Sequence, residues 1–154
     1  MKLTILLFLF TICSNLLYSQ DKIEIDKFEF EFGESSDIFL KKYSEFSIDE
    51  YIDEEFPNDV TQYSYTYPNI EVSVTVKFFK NKLVFVKFDD EFMEGILAKF
   101  LPANYGFIKT GEEKVYFDEM YPNATVEIYT KEGFNLYYRS NRFGFLQIEK
   151  LNIY

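Results

Sequence analysis

Apolar and polar positions alternate strictly from Phe28 to Phe32, with Glu29 and Glu31 between the aromatics. A period of two with one apolar face predicts a half-buried strand. Ile23 and Ile25 follow the same period out of phase, which predicts a bulge or bend at Asp26-Lys27. Gly33 breaks the run, and Ser35 or Ser36 can cap a following helix through its hydroxyl. Phe39, Tyr43 and Phe46 then recur at helical spacing. Ser47-Ile48-Asp49-Glu50 has the form of a capping box. It predicts a second, short helix with Ile48, Tyr51, Ile52 and Phe56 as its apolar stripe and Pro57 as its stop.

Beyond Asn58-Asp59 the period returns to two. Tyr63, Tyr65 and Tyr67 share one face, and Pro68-Asn69 turns the chain. Val72, Val74, Val76 and Phe78 alternate with polar residues in the clearest strand of the sequence. Lys80-Asn81-Lys82 predicts a tight reversal into the apolar run Leu83 to Phe88. Asp89 or Asp90 is then placed to cap a helix whose stripe is Phe92, Met93, Ile96, Leu97, Phe100 and Leu101, stopped by Pro102. Strands are expected at 115–117, 125–130, 134–139 and 145–153, with Lys131-Glu132-Gly133 as a hairpin turn.

An offset of 54 positions lays Asp37–Phe46 on Glu91–Phe100, Tyr67-Pro68-Asn69 on Tyr121-Pro122-Asn123, and Val72 and Val74 on Val126 and Ile128. That correspondence predicts an α+β fold: an antiparallel sheet with helices packed on one face, in two tandem pseudo-repeats, about 27–80 and 81–154. The order of helix, strand hairpin and then the pattern again resembles the secreted beta-lactamase inhibitor protein family. There, two tandem units each pack helices on an antiparallel sheet. The resemblance implies a non-catalytic, inhibitor-like binding protein and transfers no functional residue. The chain departs from that family in having no Trp and too few cysteines for a disulfide.

Lys2, the apolar run Leu3 to Leu17 and the small Ser19 form the pattern of a secretory signal over residues 1–19. Cleavage there leaves one domain, 20–154, starting at Gln20. The apolar run holds Thr11, Ser14 and Asn15 and falls short of the roughly 20 residues a span needs. Ile12 before Cys13 does not fit a lipoprotein signal. Residue usage and the Tyr18-Ser19-Gln20 ending point to a bacterial protein, periplasmic or extracellular. The expected mature chain has no cysteine, so no disulfide can hold it and its aromatic core must.

Composition narrows the chemistry. The chain has no His, and its single Cys lies in the expected signal. Histidine triads and His-based metal sites are therefore excluded, and no P-loop, GxGxxG, GxSxG or SxxK motif occurs. The remaining candidates are adjacent carboxylates: Asp89-Asp90-Glu91, Glu112-Glu113 and Asp118-Glu119. A glycosidase needs two carboxyls facing each other across a cleft, and sequence neighbours seldom do. Asp89 to Gly95 lacks EF-hand spacing, so no specific metal or cofactor is expected. Asn123-Ala124-Thr125 is a formal glycosylation sequon, without meaning in a bacterial protein.

Charge is unevenly placed. The formal net charge of −10 becomes −11 once Lys2 is removed with the signal. Between Lys42 and Lys77 there is no basic residue, and the stretch carries Glu45, Asp49, Glu50, Asp53, Glu54, Glu55, Asp59 and Glu71, a charge of −8. Such a block speeds encounter with a basic partner and disfavours nucleic acid and anionic membranes. The expected function is binding of a basic protein surface by an acidic helix face. Asp49, Glu50, Asp53, Glu54 and Glu55 are its candidate contacts, with Tyr63, Tyr65 and Tyr67 beside them. The alternatives are a carboxylate hydrolase of extracellular polymers and a carrier of a small ligand in an aromatic pocket.

Overall fold

The phase slip between Ile25 and Phe28 is a chain reversal. Strand β1 (Lys22–Ile25) pairs antiparallel with β2 (Phe28–Glu31), and Ile25 faces Phe28 across a two-residue turn. Asp26 takes a positive φ of 54° there, a conformation that Asp tolerates better than most side chains. Ile23, Ile25, Phe28 and Phe30 thereby lie on one buried face. The computed structural model describes residues 22–49, 56, 58–90, 96–115, 124–139 and 144–151. The expected signal, the acidic residues 50–55, Asp118-Glu119 and Asn123 lie outside them.

After the hairpin comes one short helix, α1 (Ser36–Lys42). Its N-terminus is not capped by Ser35. Instead Asn81 Oδ1 accepts bonds from the Ser36 backbone N–H at 3.0 Å and the Ser36 hydroxyl at 2.7 Å. The remaining strands are β3 (Ser47–Ile48), β4 (Val60–Thr66), β5 (Val72–Phe79), β6 (Lys82–Asp90), β7 (Ile108–Val115), β8 (Ala124–Lys131), β9 (Phe134–Arg139) and β10 (Gly144–Lys150). They form one eight-stranded antiparallel sheet in the order β3-β4-β5-β6-β10-β9-β8-β7. Two meanders, β3 to β6 and β7 to β10, join edge to edge where Leu146 meets Phe88 and Ile148 meets Val86.

The expected turns appear where local chemistry demands them. Lys80 and Asn81 both take positive φ, 47° and 61°, the backbone of the tight hairpin turn that suits twisted strands. Asn69 and Gly133 supply the positive φ at the β4–β5 and β8–β9 turns. One face of the sheet carries Val72, Val74, Val76, Phe78, Leu83, Val86, Phe88, Leu136, Leu146 and Ile148, all buried. The hairpin, α1 and two 3-10 turns (Leu97–Lys99 and Pro102–Tyr105) cover it. Phe30 meets Phe88, Phe39 meets Phe78, Phe32 meets Phe134, and the Tyr138 hydroxyl donates to the carbonyls of Leu97 and Phe100.

The expected α+β tandem repeat is overturned: the protein is mostly β, with a single α-helix among the described residues. Where the capping box predicts a second helix, Ser47 and Ile48 pair with Ser64 and Tyr63, and the Asp49 N–H donates to the Gln62 carbonyl. The sheet edge satisfies the backbone donor that a helix cap would have served. Asp89 and Asp90 extend β6, between Ser73 and Val72 on one side and Phe145 and Gly144 on the other, and the residues that either would cap lie outside the described ones. Of the long helix expected beyond them, the described part is the 3-10 turn Leu97–Lys99, followed by an extended Phe100.

The offset that suggests a repeat also aligns opposite faces. Val74 lies in one row with Phe88, Leu146, Tyr138 and Glu127. Side chains alternate along a strand, so Val126 and Ile128 point to the other side. Strand β7 starts at Ile108, well before the expected 115–117, as an edge strand whose charged residues show no alternation.

Two measurements check this packing. Phe28 sits 1 % exposed amid five rings, and Phe28→Ala should cost about 3–5 kcal/mol in urea unfolding. A loss below about 1 kcal/mol would mean that the hairpin is not anchored there. Asn81→Gly keeps the positive φ but loses the helix cap, and should cost about 1 kcal/mol. Asn81→Ala should cost more, because it adds backbone strain.

Candidate functional site

The β1–β2 turn is the meeting point of the candidate residues. Below it Phe28 packs against Tyr43, Phe46, Tyr65 and Tyr67 at ring separations of 5.2, 5.3, 5.6 and 6.1 Å, all near edge-to-face. That geometry places the positive ring edge against the negative ring face. The turn itself is thereby held over the end of β4. The Tyr67 hydroxyl donates to Asp26 Oδ2 at 2.7 Å. Lys27 Nζ donates to the Tyr65 hydroxyl oxygen at 3.0 Å and pairs with Glu45 at 3.3 Å. The same ammonium lies 4.3 Å from the Tyr65 ring centroid, 4.9 Å from that of Phe28 and 5.3 Å from that of Tyr67.

These contacts move two ionisations. Burial, and then the Asp26 carboxylate, push the Tyr67 phenol far above the ordinary tyrosine range. The bond to Tyr65 is the largest influence on the Lys27 ammonium and raises it; burial opposes the rise, and the pairing with Glu45 adds to it.

Beside the turn opens a cleft of about 540 Å³ between β1 and the two 3-10 turns. Glu24 and Asp26 line one wall. Lys99, Asn104 and Tyr105 line the other, and the Tyr105 hydroxyl donates to the Glu24 carbonyl at 2.7 Å, tying the walls together. Tyr105 stacks on Phe100 at 5.3 Å with the rings 12° apart. Ile25, Ile96 and the 56 % exposed Leu101 complete the apolar lining. Neither Glu24 nor Asp26 makes an ion pair among the described residues. A smaller hollow of about 230 Å³ lies on the opposite face of the sheet, between Glu113, Val126, Tyr137, Phe145 and Gln147.

Of the candidate acids, Asp49 is described; Glu50, Asp53, Glu54 and Glu55 lie outside the described residues. Asp49 is exposed and accepts from the Gln62 side-chain amide at 2.8 Å. Glu45 takes Lys27, and Asp59 approaches Lys80 at 3.9 Å. Among the described acids of the Lys-free stretch, lysines from outside it therefore offset Glu45 and Asp59. Tyr63, Tyr65 and Tyr67 are half-buried and pack against the core. Tyr65 and Tyr67 bind the hairpin turn, and Tyr63 rests edge-on against Phe78.

Among the described residues the adjacent carboxylates do not converge. Asp89 pairs with Lys87 at 2.8 Å on one face of β6, and Asp90 lies 2 % exposed on the other. Glu112 pairs with Lys109, which also holds Glu127 and keeps its carboxyl below the usual range. Among the described residues no group of three or more acidic residues is placed to hold a metal ion, and no helix is long and apolar enough to cross a membrane.

No family model, curated protein or solved structure matches this chain. The fold and the cleft define a mostly-β protein whose acidic hollow sits at the tip of a hairpin. Sequence reasoning missed Glu24, Asp26, Lys99, Asn104 and Tyr105. The break in alternation at Asp26 was the one local signal, since the opposite wall arrives from about 80 residues away.

The pKa shifts give a direction for alkaline stability. Both Tyr67 and Lys27 are raised in the folded chain. Their contributions are complete below the unfolded values near pH 10 and are lost as pH rises past them. Thermal melts should hold steady from neutral pH to about 9.5 and fall above it, and Tyr67→Phe should flatten that fall. An unchanged alkaline slope in the variant would remove Tyr67 from the transition.

Proposed function

We propose that this chain is an exported, non-catalytic binding protein, inhibitor-like in its mode of action, that holds a basic protein partner against its acidic surface. The supporting observation is the hairpin-tip cleft, where Glu24 and Asp26, without ion pairs among the described residues, stand beside an aromatic and apolar wall. The acidic stretch 45–59 adjoins the same end of the protein through the Lys27–Glu45 pair. Ser47 and Ile48, where the expected helix would begin, are strand. Long-range attraction by the net negative charge, −10 for the whole chain and −11 without the expected signal, would speed encounter, and the cleft and half-buried tyrosines would give shape to the contact.

Affinity capture from a cell-envelope extract, at low and at high salt, tests this. The wild-type chain should retain a basic protein at low salt and lose it at high salt. The charge-reversal variant Asp49→Lys, Asp53→Lys, Glu54→Lys should retain about tenfold less. Capture that ignores both salt and the reversal would defeat the electrostatic reading.

A further inference from the structure

We propose that the hairpin-tip cleft receives a single arginine side chain of the partner, with Glu24 and Asp26 as its counterions. This rests on the reading of the chain as a binder of basic protein surfaces and names the chemistry of one subsite.

Among the described lining residues, Glu24 and Asp26 stand against Lys99, an excess of one negative charge that one monovalent cation neutralises. The volume of about 540 Å³ exceeds one side chain and leaves room for the backbone that carries it. It also falls within the size range of specific ligand clefts. Ile96 and the exposed Leu101 offer apolar surface for a methylene stem, which a basic side chain lays down while its head stays polar.

Asp26 spends one acceptor position on the Tyr67 hydroxyl. A carboxylate has about four such positions, so Asp26 keeps capacity for a second donor. A guanidinium carries five donors in a rigid plane, can bridge two carboxylates and stacks on aromatic rings; an ammonium is a strongly hydrated point charge. Tyr105, stacked on Phe100, supplies the aromatic element. The surface already binds one cation of its own in this way: Lys27 lies over three rings and pairs with Glu45 next to the cleft.

The experiment is an NMR titration of the chain with the capped tripeptide acetyl-Gly-Arg-Gly-amide and with analogues carrying lysine or norleucine. The arginine probe should shift the amides of residues 24–26 and 99–105 and bind about tenfold more tightly than the norleucine probe. Glu24→Gln, an exposed change that leaves the thermal melt in place, should weaken the arginine probe about fivefold to tenfold. Lys99→Gln should tighten it. Norleucine binding as tightly as arginine would overturn the proposal in favour of an apolar hollow. Shifts centred on residues 45–71 would overturn it and leave the acidic-surface reading intact, as would no shift at all. That broader reading fails separately, by salt-insensitive capture.

Discussion

Phe28 is the ring on which the hairpin turns. Its side chain is fully enclosed by Phe30, Tyr43, Phe46, Tyr65 and Tyr67. An antiparallel sheet that buries one face needs a cover on that face, and here a two-stranded hairpin and a seven-residue helix supply it. Rings meeting edge to face constrain both distance and angle. The cover is therefore held in one place, and with it the Asp26-Lys27 turn. Were the turn free to slide, Tyr65 and Tyr67 would lose their polar partners and the cleft would lose its acidic wall.

The same placement changes what the acidity of this chain means. In sequence, the stretch between Lys42 and Lys77 holds eight acids and no base. In space, Lys27 comes to Glu45 and Lys80 to Asp59, while Asp49 takes a neutral amide. Exposed pairs of this sort are each worth at most about 1 kcal/mol, so their importance lies in where they leave charge unanswered. Glu24 and Asp26 belong to a segment of ordinary charge balance, yet they carry the carboxylates at the cleft. Charge density along a sequence and charge density on a surface are different quantities, because folding brings distant lysines to one block of acids and not to another.

Much of the sheet was legible. Strands β2, β5 and β6 follow their alternation or apolar runs, and the turns at Asn69, Lys80-Asn81 and Gly133 follow residue types that accept positive φ. The start of the expected second helix misled because Ser47-Ile48-Asp49-Glu50 satisfies a local helix rule, while a sheet edge offered the backbone of residues 47–49 a partner. Asp89 and Asp90 belong to the sheet for a related reason: in a strand with neighbours on both sides, the ladder satisfies their backbone groups. Strand β7 was hidden because an edge strand need not alternate. Its charges and its register shift between Lys109 and Gly111 are features that guard an open edge against further pairing. The cleft was illegible because its walls come from β1 and from a segment near residue 100, and no local period links them.

The sequence by itself determined the strand periods, the turn positions, the lack of histidine chemistry and the size of the aromatic core, since each depends on residue type and near neighbours. Only the tertiary structure decided that eight strands join in one sheet, that Asn81 and not a serine caps the helix, and that Asp26 faces Tyr67 across 41 positions. Those outcomes are competitions among distant partners for the same backbone donors, rings and carboxylates. The winner is set by burial of a shared face, a quantity that exists only once the chain has closed on itself.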